Sequence, residues 1–189
     1  MRPPSPTLHD DALQVLGSWR VDEPGQERLR RRYVEHLLAH ADGTDRSCRP
    51  AHLTAGALVL SADRSRALLT LHAKARRWFH LGGHCESDDR TLAGAALREA
   101  TEESGIDGLV VDPVPVHLDA HVVGFCGGHE QVTHLDVRFV AVAARHAVPV
   151  AGEESLDVRW WPVDRLPTDE PGMRTLVRLG LDRVAASVG

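Results

Sequence analysis

Apolar positions recur first with the period of a helix and then with the alternation of strands. The early spacing predicts one helix over residues 9–19 and a second from Pro24 to the Asp42-Gly43 stop. After Pro50 the pattern is that of strands. We expect strands in five segments: 54–61, 67–71, 109–123, 131–142 and 157–162. A last amphipathic helix is predicted to open near Asp169.

A glycine pair, Gly82-Gly83, leads into the helix around which the chain is organised. Glycine permits a close approach of the backbone to a ligand. Three side chains are candidates to cap the start of this helix: Asp88, Asp89 and Thr91. Gly105 suits the left-handed position just past its end.

Three carboxylates spaced i, i+3, i+4 share one face of this helix: Glu99, Glu102 and Glu103. The same face is apolar one turn earlier, at Leu92, Ala95 and Ala96. Neighbouring carboxylates repel, and a hard divalent cation with oxygen ligands relieves that repulsion. The alternative is a solvated acidic face that Arg98 partly neutralises by pairing with Glu102.

The stretch resembles the signature of the Nudix hydrolases, Gly-x5-Glu-x7-Arg-Glu-U-x-Glu-Glu-x-Gly-U, where U is a bulky apolar residue. Its second half matches from Arg98 to Ile106, with the small residue Ala100 in place of the first U. In the first half, counted from Gly83, Asp89 stands where the signature has Glu, and one extra residue separates it from Arg98. The resemblance extends over residues 52–168.

The resemblance implies an α/β fold, the Nudix α/β/α sandwich with a mixed sheet. We expect residues 1–48 to form an N-terminal helical extension and residues 49–189 the Nudix domain. The implied activity is Mg²⁺- or Mn²⁺-dependent hydrolysis of a diphosphate linkage in a nucleoside diphosphate joined to another moiety. The alternative is a non-catalytic Nudix domain that binds a nucleotide as a sensor.

The resemblance also implies roles for individual residues. The expected metal ligands, which are also catalytic, are Glu99, Glu102 and Glu103. Arg98 is expected to orient a carboxylate, and Gly82 and Gly83 to approach the substrate. The general base is either a glutamate of this cluster or an acid of the loop at residues 149–154, where Glu153 and Glu154 are the candidates. The alternative for these two is ordinary exposed loop charge.

A second polar pattern lies in two of the predicted strands. His117, Asp119 and His121 alternate, as do His134, Asp136 and Arg138, so each set shares one strand face. If Gly127-Gly128 is a two-residue turn, His121 lies opposite His134, Asp119 opposite Asp136, and His117 opposite Arg138. We expect a wall of the substrate pocket, in which Arg138, His121 or His134 meets phosphate or an additional cation. The alternative is the solvated face of a hairpin.

Composition narrows the partners and the compartment. The net charge of −5 argues against a nucleic-acid binder, and no apolar run approaches the length of a membrane span. Three cysteines without ligand spacing, Cys48, Cys85 and Cys126, indicate free thiols and a reducing, cytoplasmic compartment. We expect a small-molecule substrate, and the N-terminal extension is a candidate dimer contact.

Overall fold

The computed structural model describes residues 6–124, 131–152, 155–168 and 170–187. The helices within these ranges are α1 (Leu8–Ser18), α2 (Pro24–Ala39), α3 (Leu92–Ser104) and α4 (Pro171–Ala186). The strands are β1 (Ala51–Leu60), β2 (Arg66–His72), β3 (Trp78–Phe79), β4 (Leu81–His84), β5 (His117–Val123), β6 (Val132–Val142) and β7 (Ser155–Pro162).

Strand β1 lies at the centre of a mixed sheet. It pairs in parallel with β6 along its whole length, from Ala51 opposite Thr133 to Leu60 opposite Val142. On its other side its middle pairs with β4 and its end with β2, both antiparallel. Strand β5 continues the sheet beyond β6, while β3 and β7 both pair with β2.

Alternate residues of β1 face opposite sides of the sheet. The odd-numbered residues from Ala51 to Val59 join the core that contains the buried faces of α1, α2 and α3. Leu58 and Leu60 pack instead with α4. Helices therefore cover both faces of a mixed sheet, and the predicted α/β/α sandwich with an N-terminal helical part is confirmed.

The N-terminal helices are joined to the sheet by hydrogen bonds as well as by apolar packing. The Gln26 side chain both accepts from the Leu118 N–H and donates to the Leu118 carbonyl, at 2.7 and 2.9 Å. The buried Tyr33 hydroxyl donates to the Asp119 carbonyl at 2.7 Å. Asp11 accepts from the Leu92 N–H at the start of α3, at 2.8 Å. Helices α1 and α2 thus contribute to the core that surrounds α3.

Two segments differ from the predicted elements. Strand β5 begins at His117 rather than at residue 109, and a single bridge from Val111 to Ala141 precedes it. Pro113 and Pro115 lie in this stretch and have no N–H to donate to a strand ladder. The predicted glycine loop is instead part of β4, which pairs residue by residue with β1.

Candidate active site and histidine cluster

Helix α3 has a cap at each end, a side chain at its start and a glycine just past its end. Of the three candidate caps, Thr91 is the one used: its hydroxyl accepts from the Gly94 N–H at 2.9 Å. Asp11 of α1 satisfies a second N–H at this end, that of Leu92. Gly105 ends the helix with a φ of 63°, which glycine adopts without strain.

Glu99 lies against Gly83 of β4. A Cβ atom added at Gly83 would lie 2.7 Å from Glu99 Oε2 and 2.8 Å from its Cδ, so a larger residue there would force this carboxylate to move. The Glu99 side chain is 16% exposed, and Arg98 Nη1 donates to it at 3.0 Å. The contact explains why the glycine pair and the glutamate helix occur together.

Arg98 connects the acidic residues around α3. It donates to both carboxylate oxygens of Asp89 at 3.0 and 3.2 Å, to Glu102 at 3.1 Å and to the His84 carbonyl at 2.9 Å. Burial alone would lower the pKa of Arg98, but the hydrogen bond to Asp89 and the charge of Glu99 outweigh it and raise that pKa. Asp89, 7% exposed in its side chain, therefore anchors Arg98 rather than capping the helix.

Two of the three glutamates of α3, Glu99 and Glu102, share Arg98 as a partner, and Glu103 has a different one. Glu103 accepts from the Gly82 N–H at 2.8 Å, whereas Glu102 is 59% exposed and pairs with Arg98. Their oxygens do not converge: in the described part of the chain, the groups of ligand atoms within 4.8 Å of one another are formed by other residues. All three carboxylates lie on one helix and supply hard oxygen ligands, which Mg²⁺ prefers.

The predicted register of the polar strands is confirmed. His121 lies opposite His134, Asp119 opposite Asp136, and His117 opposite Arg138. The rings of His121 and His134 are 5.5 Å apart between centroids. This face is not a solvated hairpin face, because Asp136, Arg138 and His117 are only 4–6% exposed. The Gly127-Gly128 turn lies outside the described residues.

Arg138 neutralises the two facing aspartates. Its Nε donates to Asp136 at 2.7 Å and its Nη2 to Asp119 at 3.1 Å. Burial would raise the pKa of Asp136, but the charges of Arg138 and His80 hold it well below its usual range. The hydrogen bond to His121 lowers the pKa of Asp119, and the same bond raises the pKa of His121.

Three further contacts place histidines from neighbouring strands together. His52 of β1 lies opposite His134 of β6, and His84 of β4 lies opposite Thr54, on the same face as His52. The ring centroids of His52, His84 and His134 are 4.9 to 5.2 Å apart. Burial, with the neighbouring charged groups second, lowers the pKa of His134 to about 3 and that of His84 to about 4.

Sequence reasoning missed His52 and His84 in this cluster, although a signal was present. His52, Thr54 and Gly56 alternate along β1, and His80, Gly82 and His84 alternate along β4. The same alternation marked the polar sides of β5 and β6. His84 and Gly83 are adjacent in β4 and therefore face opposite sides of the sheet. Strand β4 thus has α3 on one side and, on the other, the polar face formed by these histidines and the polar residues of β5 and β6. Glu153 and Glu154 lie outside the described residues.

Comparison with known proteins identifies one family. The family model described as NUDIX domain matches residues 50–180. A Nudix hydrolase from M. smegmatis, RenU, aligns at 26% identity with a TM-score of 0.51, covering 73% of this chain and 88% of that one. A C. elegans Ap4A hydrolase binary complex aligns at 18% identity and a TM-score of 0.56, covering 71% and 98%.

A third solved structure is the NUDIX domain of Shewanella oneidensis NrtR complexed with ADP ribose. It aligns at 18% identity and a TM-score of 0.52, covering 79% of this chain and 97% of that one. At this identity the likeness concerns the fold. A comparison with curated proteins finds no match. Within the described residues, no helix has the length and apolar character needed to cross a membrane.

Proposed function

The chain belongs to the Nudix hydrolase family, and on that premise we propose that it cleaves the diphosphate linkage in a nucleoside diphosphate joined to another moiety, with Mg²⁺ as cofactor. Membership of this family supports the more general assignment, a pyrophosphohydrolase of a family that generally uses a divalent metal. The observation that best supports Mg²⁺-dependent diphosphate cleavage is the position of the Glu99 carboxylate. It fills the space that a Cβ at Gly83 would need, and Arg98 holds it there.

The proposed metal ligands are Glu99, Glu102 and Glu103, with Mn²⁺ as an alternative to Mg²⁺. Their donor chemistry fits, since oxygen ligands suit a hard divalent cation. When bound, such an ion supplies charge stabilisation at the phosphate oxygens and a more acidic water. Glu102 is the most exposed of the three, and it would exchange its pairing with Arg98 for the ion.

Arg98 is proposed as a positioning residue for these carboxylates. Its guanidinium is fixed from one side by Asp89 and by the His84 carbonyl, and it presents Nη1 to Glu99 from the other. Charge-assisted bonds of this kind are directional, so Arg98 would orient Glu99 before an ion binds. The general base is proposed to be a glutamate of the cluster or the loop acid Glu154.

The polar face is proposed to contact the part of the substrate that extends past β4. Arg138 already balances two aspartates, so a phosphate there would compete with them. His121 is a better donor, because its side chain is 45% exposed and its bond to Asp119 raises its pKa. His134 lies opposite it and completes the proposed set with Gly82 and Gly83.

Incubating the protein with a panel of nucleoside diphosphate derivatives tests the proposal. ADP-ribose and Ap4A belong in the panel because related Nudix structures carry those names. Added phosphatase releases phosphate only after the diphosphate is cut. We expect turnover with Mg²⁺ or Mn²⁺ and none in excess EDTA. Binding without turnover across the panel would favour the sensor alternative instead.

Glu103→Gln and Glu35→Gln form a matched pair for the metal ligands. Both remove one carboxylate charge, but Glu35 is an exposed residue of α2 outside the proposed site. We expect Glu103→Gln to lower turnover by about 100-fold, as loss of one preorganised electrostatic group does. Glu35→Gln should match the wild type. Equal turnover and equal Mg²⁺ dependence in the two variants would exclude Glu103 as a ligand.

We also propose a reducing, cytoplasmic location and a domain boundary after residue 48. The proposed cellular location rests on Cys48 and Cys85, which are buried free thiols.

The proposed domain boundary rests on the family match, which begins at residue 50. A homodimer through the extension remains a prediction, and sedimentation velocity at several concentrations tests it.

A further inference from the structure

We propose that His52, His84 and His134 form a binding site for a divalent first-row transition metal ion of the Zn²⁺ type, separate from the glutamates of α3. Each residue offers one ring nitrogen, and the three nitrogens lie within 4.8 Å of one another. Ligands of a tetrahedral Zn²⁺ at 2.0–2.1 Å are about 3.4 Å apart, so small side-chain rotations close the site.

The three rings are carried by a rigid scaffold. They come from three adjacent strands, with β1 hydrogen-bonded to β6 on one side and to β4 on the other. Because ligands on strands are held more precisely than ligands on loops, little conformational entropy is lost when an ion binds. The rings lie on the sheet face opposite to the core that contains α3, which separates this site from the glutamates.

His52 provides the most direct indication of a missing partner. The residue is completely buried, and its Nδ1 lies 3.3 Å from the Cys48 carbonyl. A carbonyl can only accept, so Nδ1 carries the proton and Nε2 keeps a lone pair. This Nε2 is buried and has no hydrogen-bond partner among the described residues. An unsatisfied buried acceptor is destabilising, and a cation bound at Nε2 would satisfy it.

The contact between His52 and Cys48 is also the one that metal-bound histidines make. Such histidines donate their second ring N–H to a carbonyl or carboxylate, which fixes the tautomer and the ring orientation. Imidazole nitrogens suit Zn²⁺, Cu²⁺, Ni²⁺ and Fe²⁺, whereas Mg²⁺ prefers oxygen. Three histidines leave one tetrahedral position for water or another ligand, as in open zinc sites.

A second group, His40, Asp42 and Cys48, also has ligand atoms within 4.8 Å of one another. It differs in kind from the first group. All three residues belong to one short segment, and Asp42 is exposed. Burial, together with Asp42, raises the pKa of the Cys48 thiol to about 11, so a metal would have to displace a firmly held proton. This group serves as the control for the histidine site.

Metal binding is tested with untagged, full-length protein that has been stripped with a chelator. Zn²⁺ is titrated in competition with a chromophoric chelator, in the presence of millimolar Mg²⁺, and Co²⁺ is used as a spectroscopic substitute. We expect one tight equivalent of Zn²⁺ and a Co²⁺ visible spectrum of tetrahedral intensity. His134→Ala and His52→Gln should weaken Zn²⁺ binding by about 100-fold or more, beyond the 10–100-fold typical of outer-shell losses.

Two controls separate this site from its neighbours. His40→Ala should bind Zn²⁺ like the wild type, and so should Glu103→Gln. If a buried variant fails to fold, the partly exposed His84→Gln replaces it, with circular dichroism as the check. A Zn²⁺-induced rise in melting temperature should be present in the wild type and absent in His84→Gln. No tight Zn²⁺ in the wild type, or equal losses in His40→Ala, would overturn the assignment.

Discussion

Gly83→Ala tests whether the contact between β4 and Glu99 is required for catalysis. The new Cβ would lie 2.7 Å from Glu99 Oε2, whereas ordinary contact begins at 3.4 Å. The carboxylate, or the strand, must therefore retreat by about 0.7 Å. Glu99 has little freedom to do so, because Arg98 holds it at 3.0 Å and Asp89 holds Arg98 in turn.

We expect two separable effects of this one methyl group. Overpacking should lower the free energy of unfolding by about 1–3 kcal/mol. Turnover should fall by about 100-fold, the loss typical of a misplacement near 1 Å in a preorganised site. Denaturant titration measures the first effect, and the phosphatase-coupled assay, at a temperature where both proteins are folded, measures the second.

Gly17→Ala is the matched control. Gly17 lies in α1, and a Cβ there would meet nothing within 4 Å. Alanine is a better helix former than glycine by about 1 kcal/mol, so this variant should be slightly more stable with unchanged turnover. Wild-type turnover in Gly83→Ala would refute the claim that the position of Glu99 limits the reaction.

Three other outcomes are expected. Asp89→Asn keeps the shape of the anchor but removes its charge, so kcat should fall about 10-fold or more, while a variant as active as wild type would deny Asp89 this role. Burial, then Arg138, lowers the pKa of His117 to about 4, below its unfolded value of 6.5. Its contribution to the free energy of unfolding is therefore complete above pH 6.5 and is lost as pH falls towards 4, by up to about 2 kcal/mol at pH 5. His117→Asn should flatten this part of the plot of melting temperature against pH. An identical slope in the two proteins would contradict the assignment. Deleting residues 1–48 should abolish soluble protein, because buried Tyr33 and the helix cap from Asp11 are removed; a folded truncated domain would show the extension to be peripheral.

The sequence predicted most elements and one long-range register, because both have local signals. Alternation in two strands, together with a turn assumed at Gly127-Gly128, placed His121 opposite His134, as found. Capping chemistry predicted the end of α3 at Gly105 and narrowed its start to three candidates, of which Thr91 is the cap found. These features depend on neighbouring residues, whose preferences can be read along the chain.

Other features of the site depend on pairings that no local pattern encodes. The parallel pairing of β1 with β6 brings His52 to His134, which lies 82 positions later in the sequence. Helix α1 supplies Asp11 to α3 across a similar separation. Asp89 was ambiguous, because its spacing from Arg98 departs from the signature, and only the folded loop brings the two side chains together.

The N-terminal helices α1 and α2 pack against segments that lie far along the sequence and are therefore synthesised much later. Gln26 bonds to Leu118, 92 residues further on, and Tyr33 to Asp119, 86 residues further on. A nascent chain that has exposed α1, α2 and β1 therefore cannot yet bury their apolar faces. Non-local contacts form slowly, and exposed surfaces of this kind are where aggregation begins and chaperones bind. Emergence of β5 and β6 from the ribosome should thus be the point at which α1 and α2 become protected from protease.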